Sequence, residues 1–231
     1  MSPCQVDDAR FLHREIIQNL PEAVVEIGIA SGVSSAVILN ALALLNRLDL
    51  IDFGQLSSFD LRSQCYFDET KPIGFAVKEM IPDEAHRQSL HTGCTSRKLC
   101  EYHENASIEF LFLDASHQHP WPCLDLLTVL PWLKNGATIC FHDINLPIHY
   151  PRFHNQWGVH WLFSAIKSEN SRISDCLKPN VGAITFYRDQ ADSLREKALE
   201  VVHSHDWECT LDNSVDLVAP EIFELIGKRT A

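Results

Sequence analysis

The sequence predicts an α/β fold with a mainly parallel sheet and helices on both of its faces. Short apolar runs rich in β-branched residues alternate with helical patterns from residue 23 to at least residue 187. This alternation is typical of crossover connections, which make neighbouring strands parallel. Three of the predicted strands also end in acidic or histidine residues, and ligands of such sheets bind at the carboxyl ends of the strands.

The first elements along the chain are the most regular. Residues 5–20 have apolar side chains at helical spacing, acids in the first turn and a proline directly afterwards, so they predict a helix. Residues 23–29 form a β-branched run that predicts a buried strand. Residues 34–48 are apolar nearly all round and predict a helix packed deep against the sheet. Residues 56–61 predict the second strand.

The middle of the chain is less regular. Residues 62–88 have no clear period and are predicted to form a loop with one short helix at 75–80. A weak third strand follows at 89–92, and a short helix at 96–103. Residues 108–113 are a strong apolar run and predict the fourth strand.

The remaining elements continue the alternation. Residues 121–133 predict a helix and residues 137–141 the fifth strand, followed by a loop at 144–156 that is rich in proline, histidine and aromatic residues. A helix, a sixth strand and an amphipathic helix are predicted at residues 157–167, 183–187 and 192–203. The tail leaves room for one more strand and one more helix.

Length and composition predict one domain and narrow its partners. The chain has 231 residues, 45% of them hydrophobic, which suits a single domain over residues 1–231 with a core at 21–190 and a C-terminal helix and tail at 191–231. A net charge of −12 argues against nucleic acid and anionic membranes as partners. The N-terminus lacks the pattern of a signal peptide, and the eight cysteines form no C-x-x-C pair. We therefore expect a cytoplasmic protein with free thiols.

A glycine-containing turn follows the first predicted strand. It reads E-I-G-I-A-S-G-V-S at residues 26–34, and its spacing differs from the G-x-G-x-x-G dinucleotide pattern. Glycines at such a turn let a ligand lie close to the backbone, and the buried Glu26 can accept hydrogen bonds from an amino group. Asp60 at the end of the second strand can accept both hydroxyls of a ribose. Together these residues predict a nucleoside-type cofactor, although either alone would suit an ordinary tight turn.

The order of these motifs resembles class I S-adenosylmethionine-dependent methyltransferases over residues 20–190. L-D-A-S-H at 113–117, W-L-K-N-G-A at 132–137 and F-H-D at 141–143 are similar to the family that includes macrolide-sugar O-methyltransferases and cephalosporin-biosynthesis proteins. The resemblance implies a Rossmann-like, doubly wound, seven-stranded sheet and methyl transfer from S-adenosylmethionine to a hydroxyl of a small molecule. The implied cofactor-binding residues are Glu26, Gly28, Ser31, Gly32, Ser34, Asp60 and Asp114.

The same resemblance implies a divalent metal, magnesium or manganese, and a histidine base. Asp114 and Asp143 would be metal ligands, and His117 would be the base. His142 stands where the family has the first acid of an acidic pair; magnesium prefers oxygen ligands, whereas imidazole suits manganese, iron, zinc or nickel. Three possibilities stay open: a different metal, a His142 that is not a ligand, or a lost metal. Structural roles at a helix cap or strand end also stay open for these residues.

Two functions of other classes compete with this interpretation. Asp114, His117, His142 and Asp143 could form the mononuclear site of a metal-dependent hydrolase or oxygenase. Alternatively, the fold could be a non-catalytic module that keeps the cofactor pocket. The acceptor and the oligomeric state are not predicted, although the first helix and the segment near 157–161 are candidate homodimer interfaces. Residues 65–74 suit a loop that covers substrate or cofactor, and residues 144–160 suit a lid.

Overall fold

The computed structural model describes residues 6–210, 218 and 220–227. Its helices are α1 (Val6–Asn19), α2 (Val33–Arg47), α3 (Phe75–Met80), α4 (Trp121–Val129), α5 (Leu146–His149), α6 (Gly158–Ile166), α7 (Ala191–Ser204) and α8 (Pro220–Gly227). Its strands are β1 (Ala23–Ile27), β2 (Gln55–Asp60), β3 (Gln64–Cys65), β4 (Asp68–Pro72), β5 (Gln88–Thr92), β6 (Ile108–Leu113), β7 (Leu133–His142), β8 (Arg172–Ile173) and β9 (Val181–Thr185). None of these helices is long and apolar enough to cross a bilayer.

Seven strands form one sheet in the order β5-β2-β1-β6-β7-β9-β8. The pairings among β5, β2, β1, β6 and β7 are parallel, whereas β9 and β8 each join antiparallel to their neighbour. This confirms the predicted mainly parallel, doubly wound, seven-stranded sheet. The chain runs outward from β1 through β2 to β5 and then returns to β6 beside β1. The order of the strands thus reverses between β1 and β6, and a crevice opens at their carboxyl ends.

Helices cover both faces of the sheet, as predicted. Adjacent positions of a strand point to opposite faces. Phe110 accordingly belongs to a buried apolar cluster with residues of α1 and α2. Its neighbour Leu111 belongs to a second cluster with residues of α4, α6, α7 and α8. Both faces of the central strands are therefore buried, which explains why these strands were recognisable as continuous apolar runs.

Several boundaries differ from the prediction for identifiable reasons. The predicted helix 121–133 ends at Val129 and continues as a short 3-10 turn, because Pro131 lacks the N–H that a helix needs. Strand β7 then begins at Leu133, four residues before the predicted start at 137. The short helix α5 lies in the predicted loop 144–156, and the predicted helix 96–103 is a 3-10 helix, Ser96–Glu101.

Three strands were not predicted. The hairpin of β3 and β4 lies in the segment predicted as a loop, and its mostly exposed residues give no apolar alternation. The seventh strand of the sheet, β8, is only two residues long and precedes β9, whereas the sequence left room for it in the tail. The tail does contain the expected further helix, α8; residues 211–217, where a further strand would fall, lie outside the described residues.

Candidate active site

The turn between β1 and α2 is shaped by two glycines in left-handed conformations. Gly28 has φ +90° and Gly32, the N-cap of α2, has φ +86°. A Cβ atom on Gly28 would lie 2.3 Å from the carbonyl oxygen of Asp114, and one on Gly32 would lie 2.8 Å from Cα of Gly74. No side chain fits at either position. The glycines therefore allow the turn to approach the end of β6 and the start of α3 closely.

Glu26 lies in β1, shortly before this turn, and holds the turn in place. It is fully buried, and its carboxylate oxygens accept hydrogen bonds from the hydroxyls of Ser34 (2.6 Å), Ser35 (2.6 Å) and Ser58 (2.8 Å). Burial outweighs these hydrogen bonds and raises the pKa of Glu26 to about 7. Glu26 was predicted to contact a cofactor, but both of its oxygens serve to connect β1, α2 and β2. A direct cofactor contact by Glu26 stays a prediction.

Asp60, the last residue of β2, binds the backbone of the same turn. Its Oδ2 accepts hydrogen bonds from the backbone N–H groups of Ile29 (3.0 Å) and Ala30 (3.2 Å). Its Oδ1 accepts one from the N–H of Arg62 at 2.8 Å. The carboxylate is only partly buried, so it fixes the turn while part of its surface stays open toward the adjoining cavity.

Two cavities meet at the crevice between β1 and β6. The turn cavity, of about 420 Å³, is lined by Gly28, Asp60 and Asp114 among others. The cluster cavity, of about 820 Å³, is lined by Ser31, Ser34, His117, His142 and Asp143 among others. Asp114 and Tyr66 line both cavities. Most of the predicted site residues therefore line one or both cavities. Gly32 and Glu26 line neither: Gly32 is the N-cap of α2, and Glu26 is buried in β1.

Four predicted residues come together in an Asp/His cluster, defined as Asp114, His117, His142 and Asp143. One potential ligand atom from each lies within 4.8 Å of the others. Asp114 follows β6, and His142 is the last residue of β7, the neighbouring parallel strand. Asp143 has a left-handed backbone, φ +59°, and its Oδ1 accepts a hydrogen bond from the side-chain amide of Asn180. The strand ends thus bring these side chains together as the sequence suggested.

The cluster is held by contacts between carboxylates and imidazoles. His142 Nδ1 lies 2.9 Å from Asp114 Oδ1 and 3.6 Å from Asp143 Oδ2. His117 Nε2 lies 3.3 Å from Asp114 Oδ1 and 3.4 Å from Asp143 Oδ2. Burial opposes charge on each group, but the imidazoles hold the pKa of Asp114 well below its usual range. In return, the carboxylates raise the pKa of His117 and raise that of His142 well above its usual value, against the effect of burial.

This donor set fits a divalent metal ion. Two carboxylates and two imidazoles converge, with one potential ligand atom of each within reach of the same point. Imidazole and carboxylate donors together suit manganese, iron, cobalt or zinc, whereas magnesium prefers oxygen donors throughout. Whether a metal is bound here, and which one, stays a prediction.

Some residues that line the site were not singled out from the sequence. Tyr66 and Phe67 form the tip of the β3–β4 hairpin and line the cluster cavity, within the segment 65–74 that was predicted as a covering loop. The buried Tyr66 hydroxyl has no hydrogen-bond partner among the described residues. Burial and the negative Asp114 and Asp143 raise the pKa of Tyr66 to about 12. A tyrosine and a phenylalanine in an irregular segment carry no sequence signal for such a position.

Asp125 is a second residue that was missed. It lies on α4, lines the turn cavity and accepts a hydrogen bond from Ser96 Oγ at 2.6 Å. Burial raises the pKa of Asp125 to about 6. An acid on the otherwise apolar helix 121–129 was the available signal. Thr95, in the segment that follows β5, lines the same cavity.

The fold, the turn and the position of the two cavities define a class I S-adenosylmethionine-dependent methyltransferase. The sequence profile of the family described as "Methyltransferase domain" matches residues 25–144, just over half of the chain. The chain therefore belongs to this methyltransferase family. Its membership favours methyl transfer over the hydrolase or oxygenase alternative. No curated protein matches the sequence.

Solved structures show the same fold at low sequence identity. The O-methyltransferase TomG from Streptomyces achromogenes, in complex with S-adenosylmethionine, is 18% identical with a TM-score of 0.55, over 78% of this chain and 80% of that one. An O-methyltransferase from Bacillus cereus, in complex with S-adenosylhomocysteine, is 17% identical with a TM-score of 0.53, over 80% and 82%. The S-adenosylhomocysteine-bound methyltransferase PaMTH1 from Podospora anserina is 13% identical with a TM-score of 0.56, over 78% of each chain.

Proposed function

We propose that this chain is one methyltransferase domain that transfers the methyl group of S-adenosylmethionine to a hydroxyl oxygen of a small molecule. The observation that carries this proposal is the junction of the two cavities at Asp114, with the glycine turn on one side and the Asp/His cluster on the other. A cofactor in the turn cavity would present its sulfonium to an acceptor in the cluster cavity.

The turn cavity would hold the nucleoside part of the cofactor. Gly28 presents bare backbone to the cavity. Asp60 accepts three hydrogen bonds from backbone N–H groups and has about one lone pair left, on Oδ1, for a ribose hydroxyl. Ser31 and Ser34 line the neighbouring cavity at the start of α2 and would meet the part of the cofactor nearest the sulfonium. The N-terminal end of a helix also favours a carboxylate, such as that of the methionine moiety.

His117 would accept the proton of the acceptor hydroxyl. Its Nε2 faces Asp114 and Asp143, and its Nδ1 lies 3.4 Å from Gln156 Oε1, which holds the ring. A neutral imidazole at hydrogen-bond distance is an effective general base. The carboxylates raise the pKa of His117 and so favour its protonated form. His117 would become a neutral base at neutral pH when the charge of these carboxylates is balanced. A divalent metal held by Asp114, His142 and Asp143 would supply that balance and lower the pKa of the acceptor hydroxyl.

The acceptor would be a small organic molecule with an exposed hydroxyl. The cluster cavity is lined by Tyr66, Phe67 and Gln156 as well as by the Asp/His cluster, which combines aromatic surface with hydrogen-bonding groups. Two of the three histidines of the loop 144–160 have structural contacts instead: His149 Nε2 lies 3.0 Å from the carbonyl oxygen of Pro179, and His160 Nδ1 lies 2.8 Å from that of Ile144. A lid role for this loop stays a prediction.

The proposal is tested by separating cofactor binding from turnover. We expect calorimetry to detect S-adenosylhomocysteine binding to the wild type and, within about twofold, to His117→Ala. With Mn²⁺ and a panel of phenolic and sugar hydroxyls as acceptors, His117→Ala should lose about 10²–10⁴-fold in methyl transfer, as expected for a general base. His149→Ala is the matched control and should retain activity, because His149 lines neither cavity and its Nε2 contacts the backbone carbonyl of Pro179.

Two results would contradict this proposal. Absence of binding at millimolar S-adenosylhomocysteine would remove the cofactor assignment. Equal turnover of wild type and His117→Ala would remove the base. A wild type that binds the cofactor but methylates none of the acceptors, with or without metal, would instead support the non-catalytic module.

A further inference from the structure

Asp8 on α1 is a buried carboxylate next to the Asp/His cluster. It is 2% exposed, and its Oδ2 lies 3.4 Å from Nε2 of His142. The neighbouring Asp7 is 52% exposed at its side chain and pairs with Arg10, as is usual for an acid in the first turn of a helix. Favourable placement near the start of a helix explains Asp7, but it does not explain why Asp8 is buried.

We propose that Asp8 is a positioning residue for His142. Its carboxylate lies 3.4 Å from Nε2, a charge contact rather than an aligned hydrogen bond, and this charge favours the hydrogen on Nε2 and keeps Nδ1 directed at Asp114 and Asp143. This inference rests on the proposed metal site. His142 is 4% exposed and its two ring nitrogens face carboxylates on opposite sides, Asp8 at Nε2 and Asp114 at Nδ1. If Asp8 holds the hydrogen on Nε2, the lone pair of Nδ1 is left free for a metal ion.

The location of Asp8 supports this role. Phe11, Leu12 and Ile16 follow it on the buried face of α1 and pack into the apolar cluster with α2. A carboxylate on such a face is costly unless a partner compensates it, and the imidazole of His142 is one such partner. Helix α1 thus contributes a negative charge to the Asp/His cluster, although the helix and the cluster are far apart in the sequence.

A carboxylate behind a metal-binding imidazole has a known physical effect. It fixes the tautomer and the orientation of the ring and raises the basicity of the nitrogen that binds the metal. His142 is a neutral ligand, and the negative charge of Asp8 lies on the side of its ring opposite Asp114. The pair Asp8–His142 would therefore favour manganese, cobalt or zinc over magnesium.

The test compares metal affinity in Asp8→Asn and Asp7→Asn. Calorimetric titrations with Mn²⁺ and Co²⁺, together with the visible absorption of bound Co²⁺, report on the site without any turnover. We expect Asp8→Asn to bind both metals about 10–100-fold more weakly and to alter the Co²⁺ spectrum, as found when a carboxylate behind a ligand is removed. Asp7→Asn should bind within about twofold of wild type. Asp143→Ala, which lacks a ligand, should give no heat of metal binding.

A second pair of variants keeps the test decisive if Asp8→Asn does not fold. In a His142→Asp background the ring is absent, so Asp8 only adds repulsion. There, Asp8→Asn should leave Mn²⁺ affinity unchanged or increase it. A loss of about tenfold or more in this background would contradict the role of Asp8.

The outcomes distinguish this inference from the proposed function. Equal Mn²⁺ affinity and equal Co²⁺ spectra of wild type and folded Asp8→Asn would overturn the positioning role alone. A wild type that binds S-adenosylhomocysteine but none of these metals would overturn the metal site and the role of Asp8 together, and would leave the cofactor assignment standing.

Discussion

The two halves of the site differ in what balances their carboxylates. On the turn side, Glu26 and Asp60 accept hydrogen bonds from neutral serine hydroxyls and backbone amides. On the cluster side, Asp114 and Asp143 lie against the imidazoles of His117 and His142. Serine hydroxyls and backbone amides can donate these hydrogen bonds at any pH, whereas an imidazole balances the charge of a carboxylate fully only when it is protonated.

The turn side is therefore stabilised by neutral hydrogen-bond donors, whereas the cluster side depends on a positive charge. The turn is complete without a ligand, so its pattern of acid and glycines is required for folding as well as for binding. The cluster is complete only with a cation, whether that cation is a proton on the imidazoles or a metal ion. Substitutions on the turn side should therefore affect the free energy of unfolding most, and those on the cluster side should affect metal binding and turnover most.

The largest effect on stability is expected for Gly28→Ala. The new Cβ would lie 2.3 Å from the carbonyl oxygen of Asp114, and the residue would keep φ near +90°. Left-handed backbone strain and overpacking together should lower the free energy of unfolding by about 4 kcal/mol. Urea unfolding at neutral pH measures this change.

Gly136→Ala provides the matched control. Gly136 has φ +86°, and among the described residues no atom lies within 4 Å of a Cβ built there. Only the backbone strain remains, so the loss should be about 1 kcal/mol. Equal losses in the two variants would show that close packing of β1 against β6 does not constrain the turn.

Glu26→Gln should change how stability depends on pH. Because the pKa of Glu26 is raised from 4.5 to about 7 in the folded protein, the folded state binds this proton more tightly than the unfolded state. Its contribution to stability is therefore greatest below pH 4.5 and falls as the pH rises to about 7, by about 3 kcal/mol in total. Glutamine does not titrate and can still bond to the serines, so the variant should lack this fall.

The measurement is urea unfolding of both proteins between pH 5 and pH 8. Asp125, whose pKa is raised to about 6 by burial, titrates in the same range but is present in both proteins. The difference between wild type and Glu26→Gln therefore isolates Glu26. Parallel curves would mean that the serines keep Glu26 ionised throughout, and that the turn side is stabilised by charge after all.

The sequence predicted those parts of the molecule that depend on local pattern. Strands β1 and β6 are buried on both faces, so they appear as continuous apolar runs. The strand ends of such a sheet lie at one edge, which is why Asp114, His142 and Asp143 could be expected to meet. Strands β3, β4 and β8 are short and partly exposed, so no apolar pattern marks them.

The partners of the site residues could not be predicted in the same way. Ser35 and Ser58 have no feature that connects them to Glu26, because hydroxyl–carboxylate bonds arise only when β1, α2 and β2 pack together. Asp8 has the sequence pattern of an ordinary acid in the first turn of a helix. Only the packing of α1 against the end of β7 reveals its contact with His142.

An effect on stability as small as that of Gly136→Ala is expected for Asp60→Asn, which tests whether the turn side also binds the cofactor. The amide oxygen can still accept from Ile29 and Ala30, but the amide nitrogen would face the N–H of Arg62, so stability should fall by about 1 kcal/mol. An amide N–H₂ cannot accept from a ribose hydroxyl, so S-adenosylhomocysteine should bind about tenfold more weakly, or about 1.4 kcal/mol. Calorimetry at a temperature where both proteins are folded separates the two effects. Unchanged affinity would show that Asp60 has only a structural role. The carboxylates of the turn side would then be needed for folding and not for binding the cofactor.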